Sequence, residues 1–264
     1  MREFIRSLQA LPLFAQLTVP ELEQLHGILD ERTFDKHQVI TREGTRWDAL
    51  YVVKSGKVKL TRSVSAQSTG RELTIAVLEP GDPVNMTPLF EGDRNVFTTE
   101  ALTRATLYYL AGSDARAFVA GHPSMHKTLL RALNLELRRL VSLASRLAFT
   151  SVTARLAFWM LEQTQGNRTP TDKGIAIRRD LTLNELASLV GTTRRVISKS
   201  LTDLQHDGVI EVGPTQIVVL NEKKLEAIAG ASRRGCHPAD FTDEGGYAAS
   251  RRSQSQTDRQ RMQR

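Results

Sequence analysis

The chain has 264 residues, long enough for two domains, and no apolar run approaches the ~18 residues of a membrane-spanning helix. Its formal net charge of +7 favours nucleic acid or an anionic surface as partner, without choosing between them. One cysteine, Cys236, excludes an intrachain disulfide and any metal cluster built from cysteine ligands.

The N-terminus, MREFIRSLQALPLF, lacks a signal-peptide core and cleavage site, so a soluble cytoplasmic protein is expected. Phe4 to Leu29 reads as helix in pieces. Leu11-Pro12 breaks the pattern, and Thr18 caps a helix with Pro20 and Glu21 in its first turn. Leu22, Leu25 and Leu29 form its inner stripe.

From Thr33 the hydrophobic period falls to two. Val39–Thr41, Ala49–Lys54, Lys57–Thr61, Glu72–Leu78, Thr98–Leu102 and Ala105–Leu110 are the expected strands. Glu43-Gly44, Ser55-Gly56 and Glu79-Pro80-Gly81-Asp82 punctuate them. Short strands at this spacing imply an antiparallel sandwich or barrel. Asp48, Glu72 and Glu79 are most simply solvated faces and turns. Ser113 caps a short helix to Ala120, which Gly121-His122-Pro123 interrupts.

A long helix starts after Pro123. Leu130, Leu133, Leu137, Leu140, Ala144 and Leu147 alternate spacings of three and four, which is a heptad seam, with Arg131, Glu136, Arg138 and Arg139 off it. The alternative is a helix packed on its own domain. The narrow, regular stripe favours a homodimer contact. Thr153–Glu162 is a further amphipathic helix, whose Leu156, Trp159 and Met160 are expected to pack against the helical hairpin beyond it. Gln165–Lys173 is a polar loop.

Leu181 to Ile210 reads as that hairpin, two helices joined by a tight turn. Thr182 with Glu185 has capping-box spacing, and Leu183, Leu186, Ala187 and Val190 recur at helical spacing. Gly191 can turn the chain at positive φ, and Thr192 or Thr193 can cap the second helix. There Ile197, Leu201 and Leu204 face inward, and Arg194, Arg195, Ser198, Lys199 and Thr202 face out. A first helix uncharged apart from its capping glutamate and a second that opens on two arginines suit a helix-turn-helix. The bland alternative is an ordinary helical hairpin. After the Asp207-Gly208 turn, Val209–Val212 and Gln216–Leu220 read as strands around Gly213-Pro214, a wing.

From Ala231 serine, glutamine, arginine and glycine dominate with no apolar period, as in a disordered basic tail. Cys236 lies there, where nothing ordered beyond Arg233, Arg234 and His237 would lower its pKa for redox sensing. No nucleophile–base set, metal-ligand spacing or phosphate loop is present, so an enzyme is not expected.

This arrangement resembles the Crp/Fnr family of bacterial transcription regulators. The match is carried by Leu13-Phe14 to Leu17, Ala49-Leu50-Tyr51-Val52 with Gly56-Lys57-Val58, and Pro80-Gly81-Asp82. Most specific is Leu181-Thr182 through Glu185-Leu186-Ala187 to Val190-Gly191-Thr192-Thr193-Arg194. The resemblance implies an α+β fold: an antiparallel, cyclic-nucleotide-binding-like β-roll sensor (1–122) and a dimerisation helix (123–150). A winged helix-turn-helix domain (151–230) and the disordered tail (231–264) would complete it. It implies a regulator that binds double-stranded DNA as a homodimer on a two-fold-symmetric operator, with RNA polymerase as a further partner.

The family's recognition helix commonly offers arginine, glutamate, and arginine four residues later. Here those places hold Arg194, Arg195 and Lys199. Arg194 can make the bidentate contact to guanine, whereas Arg195 has no acceptor for cytosine N4 and is left with guanine or phosphate. Lys199 can reach guanine or phosphate, and Ser198 lies beside it. Thr182, Thr192 and Thr193 are the remaining expected DNA contacts, with Thr182 and Thr193 setting register on phosphate.

The sensor departs further. Cyclic-nucleotide binders of the family carry Gly-Glu after the Pro-Gly-Asp turn and then Arg-Ser or Arg-Thr. Here Asn85-Met86 and Arg94-Asn95 stand nearest to those pairs, as the candidate effector residues. The adenine-contacting Thr-Ser pair falls near Leu140-Val141. Each lost hydrogen bond removes about 0.5–1.5 kcal/mol, so weak or no cyclic-AMP binding is expected. The cysteine set of the iron–sulfur branch is absent. Haem is not expected, although His26, His37, His122 and His126 are present. The alternatives are a cyclic-AMP-responsive regulator with a divergent pocket and a non-specific DNA-coating protein driven by charge.

Overall fold

A computed structural model describes residues 2–63, 72–84, 86, 89, 94–166 and 169–230. The chain forms two compact units. Among the described residues, the first unit holds the chain to Arg62 and Ala76–Arg139. The second holds Leu140 onward, with the short stretch that ends at Ile75. Asn85 and the tail from Ala231, including Cys236, lie outside the described residues.

Helices α1 (Arg2–Gln9) and α2 (Val19–Ile28) come first. Thr18 starts α2 with its N–H and its hydroxyl both donating to Glu21 Oε2, at 2.7 and 2.8 Å. Eight strands come next along the chain: β1 (Asp30–Phe34), β2 (Val39–Thr41), β3 (Ala49–Ser55), β4 (Val58–Ser63), β5 (Glu72–Leu78), β6 (Pro83–Val84), β7 (Thr98–Ala101) and β8 (Ala105–Ala111). They lie in two four-stranded sheets, β1-β8-β3-β6 and β2-β7-β4-β5. Two of these strands do not show in the pattern of residues. In β1, Asp-Glu-Arg-Thr-Phe is exposed at four places and half-buried at the fifth, so no alternation marks it. β6 has only two residues.

Period two on β3 and β8 sends Leu50, Val52, Tyr108 and Leu110 to one face, where they meet Leu8, Leu22, Leu25 and Phe118. Phe118 belongs to α3 (Gly112–Gly121). The 27-residue helix α4 (Pro123–Phe149) starts in the same core through Met125, Leu129 and Ala132. Further along, Arg139 donates two bonds of 3.2 Å to the buried carboxylate of Asp82, in the Pro-Gly-Asp turn. A charge-assisted pair of this kind fixes the helix against the turn.

The second unit contains α5 (Val152–Gly166), β9 (Thr169–Thr171), β10 (Gly174–Arg178), α6 (Leu183–Val190), α7 (Arg194–His206), β11 (Ile210–Val212), β12 (Gln216–Val219) and α8 (Glu222–Gly230). Leu156 and Met160 of α5 meet Ile197, Leu201 and Leu204 of α7 in one core, with Trp159 packed at its edge. The hairpin β11–β12 is part of a larger sheet, β11-β12-β10-β9. β10 pairs antiparallel with β12 from Ile175 to Arg178. Helix α8 packs on α5 and contributes Leu225 to the core.

Gly191 makes the turn between α6 and α7, at φ 73° and ψ 50°. Thr192 N–H donates to Ala187 O at 2.9 Å and Gly191 N–H to Ser188 O at 3.3 Å, the Schellman pattern that ends a helix in a left-handed residue. A Cβ at Gly191 would lie 2.6 Å from Leu147 Cδ2. Gly191→Ala therefore adds a steric clash to the ~1–2 kcal/mol cost of a left-handed L-residue. Urea unfolding should show a loss of at least about 1 kcal/mol; an unchanged midpoint would contradict this account of the turn.

Candidate nucleic-acid interface

The interface is built from the capping of α6 outward. Thr182 accepts from Glu185 N–H at 3.2 Å, while its own N–H and hydroxyl donate to Glu185 Oε2 at 2.7 and 2.9 Å. Both donors of Thr182 thus go to the capping box. Leu186, Ala187 and Val190 face the core, as their spacing requires.

Helix α7 begins at Arg194, with Thr193 as its N-cap in extended conformation and Thr192 half-buried in the turn. Of the two candidate caps the structure uses Thr193, whose side chain makes no capping hydrogen bond. Ile197, Leu201 and Leu204 are buried, along with Ser200. Arg194, Arg195, Ser198 and Lys199 are exposed. They share one open hollow with Thr202 and Asp203. Asp203 was not singled out by pattern, because a carboxylate well inside a basic helix reads as ordinary surface. The hydroxyl of Thr202 donates back to Ser198 O at 3.1 Å.

A residue the sequence reading missed holds this hairpin in place. Arg155 of α5 donates from Nε to Val190 O at 2.7 Å, from Nη1 to Thr150 O at 2.7 Å and from Nη2 to Gly191 O at 3.2 Å. Two of these carbonyls belong to the C-terminus of α6, where the helix leaves acceptors without intrahelical donors. Burial, and then the nearby charge of Arg146, lower the Arg155 pKa from its ordinary value. A guanidinium remains charged at neutral pH even so. No spacing rule announces such a contact, since all three partners are backbone atoms and two of them lie 35 and 36 residues away in sequence. At the other end, Lys224 of α8 donates to Asp207 O at 2.9 Å and Gln205 accepts from Val212 N–H at 3.2 Å, which secures α7 to the wing.

The leucine stripe of α4 is largely uncovered. Leu130 is 67% exposed, Leu137 59% and Leu133 37%, and Ala144 is exposed as well. Leu140 and Leu147 are half-buried, and Val141, at 50% exposure, takes the place of Leu140 on the open stripe. A straight α-helix drifts by about 20° per heptad from a 3.5-residue repeat. Over these turns the drift moves the stripe from Leu140 and Leu147 to Val141 and Ala148. Glu136 sits half-buried on the same helix; burial raises its pKa, against the opposing pull of Arg139.

Of the four candidate effector residues, Met86, Arg94 and Asn95 are among the described residues. Met86 is buried in the core with Leu22 and Phe118. Arg94 donates to Gly44 O at 2.7 Å, and Asn95 to Thr45 Oγ1 at 3.1 Å, so both side chains bind the loop after β2. The histidines are dispersed. His26 lies against the Phe4 ring at 4.2 Å, His37 beside Glu100 at 3.1 Å, and His122 between Phe118 O and Gln24.

Residues 31–122 match the profile of the cyclic nucleotide-binding domain, and residues 154–228 that of the Crp-like helix-turn-helix domain. The chain is 30% identical over 219 residues to the Cyclic AMP receptor protein of Thermus thermophilus, covering 83% of this chain and 96% of that one. It is 28% identical over 192 residues to the CRP-like cAMP-activated global transcriptional regulator of Mycobacterium tuberculosis, covering 73% of this chain and 84% of that one. Among solved structures, a CRP-family transcriptional regulator from Thermus thermophilus superposes with a TM-score of 0.63 at 25% identity, over 75% of this chain and 96% of that one.

Removing the Arg155 guanidinium would leave three carbonyls without their charged donor. Arg155→Ala should lower the unfolding free energy by about 2 kcal/mol or more, the scale of a hydrogen bond to a charged group. Arg155→Lys should recover only part of it, because one ammonium cannot reproduce a planar fork. Chemical denaturation measures both, and a stability unchanged in Arg155→Ala would remove the clamp from the account.

Proposed function

The chain belongs to the Crp/Fnr family of bacterial transcription regulators, and from that premise we propose that it binds a two-fold-symmetric operator as a homodimer, through α7, without requiring cyclic AMP. The observation that carries this reading is the outward face of α7. Arg194, Arg195, Ser198 and Lys199 stand exposed around one hollow on a helix whose opposite face is fully packed. A helix with that division of faces can enter a major groove, first turn foremost.

The donors decide what can be read. Arg194 matches guanine O6 and N7 in a bidentate contact. Arg195 and Lys199 also carry no acceptor, so cytosine N4 finds no partner at either place. The half-site therefore differs from one read by an Arg-Glu-Arg set at the base pair facing Arg195. Thr182, Thr192 and Thr193 lie around the start of the two helices, where contacts to phosphate fix register and carry no sequence information. For Thr182 this means sharing a hydroxyl that already serves Glu185.

Dimer formation is supported by the open apolar stripe through Leu130, Leu133, Leu137, Val141 and Ala144. Leu140 and Leu147 flank the stripe, and Leu147 also lies against Gly191. Two subunits joined along such a rod would present two copies of α7 to successive grooves. RNA polymerase contact is proposed on the family alone.

The Thermus and Mycobacterium relatives are named for cyclic AMP, and a cyclic-AMP response is the competing reading. Against it stands the chemistry of the sensor residues. Met86 offers no carboxylate for a ribose hydroxyl, and Arg94 and Asn95 are tied to Gly44 and Thr45. Calorimetry with cyclic AMP should show no micromolar binding; a micromolar isotherm would establish the competing reading.

Selection of bound sequences from random DNA tests the main proposal, and it should return an inverted repeat that is enriched without added nucleotide. Binding with steep salt dependence and no preferred sequence would instead mark a DNA-coating protein. On the selected operator, Arg194→Ala should cost about 1–3 kcal/mol per site, with little change on random DNA. Leu137→Lys should convert the dimer to monomer in sedimentation, since a desolvated ammonium at the seam opposes association. Operator binding should weaken with it.

A further inference from the structure

We propose that Val196 recognises the 5-methyl group of a thymine in each half-site, and so acts as a specificity-determining residue beside the arginines. This rests on the reading of α7 as the helix that enters the groove. Among the described residues of α7, Val196 is the one apolar side chain left exposed, at 38%, while Ile197, Leu201 and Leu204 are buried. It is the third residue of the helix, immediately after Arg194 and Arg195. The first turn is the part of such a helix that reaches base edges.

Helical spacing puts Val196, Lys199 and Asp203 in one row, at i, i+3 and i+7. Lys199 and Asp203 of that row line the hollow with the arginines, and Val196 stands in the same row one turn before Lys199. Val196 is not needed for the core, which the opposite face of α7 supplies. Nor does it help the helix form, since β-branched residues are weaker helix formers than the straight-chain residues open to a solvated site. Its isopropyl group can neither donate nor accept a hydrogen bond. On the major-groove edge the thymine C5-methyl is the apolar feature available to such a group. A β-branched side chain is stiff about χ1 within a helix, so docking it costs little rotamer freedom.

The test uses the full-length chain and the operator it selects. Each thymine of one half-site is replaced in turn by deoxyuridine, which removes only the methyl, and affinity is read by fluorescence anisotropy. At one position the wild type should bind about fourfold more weakly, the effect expected for one methyl group withdrawn from apolar contact. Val196→Ala should bind the thymine and uracil forms of that position equally. Val196→Thr, which keeps a γ-methyl on the same branched carbon, should retain part of the preference. The inference is overturned if no thymine is methyl-sensitive, or if Val196→Ala keeps the same thymine-to-uracil ratio. An enriched operator with intact Arg194 dependence and no methyl effect removes only this inference. Failure to enrich any operator removes the reading of α7 with it.

Discussion

One guanidinium holds the helix-turn-helix hairpin to its support. Arg155 reaches from α5 to the carbonyls of Val190 and Gly191, which close α6, and to that of Thr150, just past the end of α4. Base readout demands that the first turn of α7 be placed to within a fraction of an ångström, because hydrogen bonds weaken quickly with distance and angle. The turn that delivers it contains Gly191 in a left-handed conformation and two threonines, none of which packs a large side chain. Its rigidity therefore comes from backbone hydrogen bonding. A positive group at a helix C-terminus also suits the helix dipole. The same contact thus satisfies exposed acceptors, neutralises the end of α6 and fixes the departure point of α7.

Around that fixed point the functional face is set by simple chemistry. Buried leucines and an isoleucine hold one side of α7, which leaves Arg194, Arg195, Ser198 and Lys199 exposed on the other. Three of these four are cations, and none of the three can accept a hydrogen bond. Attraction to phosphate would supply affinity without choice, whereas the planar forks of the two arginines supply choice wherever they meet guanine. The wing adds a second constraint. Gln205 and Lys224 tie the end of α7 to β11 and α8, so the helix is held at both ends.

Much of this was legible from the residues, and the limits of the reading are physical. The helix-turn-helix was legible because Thr182, Glu185 and Gly191 are each chosen for a backbone task that few residue types can perform. The strands Ala49–Ser55 and Glu72–Leu78 were legible as short, β-branched apolar runs closed by Ser55-Gly56 and Pro80-Gly81. The sheet around the wing was less legible: Gln165–Lys173 reads as a polar loop but holds the end of α5 and β9, and β10, Gly-Ile-Ala-Ile-Arg, is too brief for its alternation to stand out. Helix α8 carries two lysines and two glutamates in nine residues, and only Leu225 and Ala229 are buried. The seam was placed on a strict 3.5-residue repeat, and Val141 in place of Leu140 measures the drift of a straight helix away from it. Arg155 was invisible because backbone acceptors leave no mark in side-chain sequence. In the first unit the pairing of Arg139 with Asp82 was equally hidden, joining a helix to a turn 57 residues away.

The central claim is that paired copies of α7 read guanines in two successive major grooves. Methylation interference on the selected operator tests it directly, because a methyl group at guanine N7 blocks the acceptor an arginine fork requires. The account predicts two symmetric clusters of interfering guanines, centred about one helical turn, or 10–10.5 base pairs, apart or a whole multiple of that distance. A single cluster, or interference spread evenly along the duplex, would contradict it.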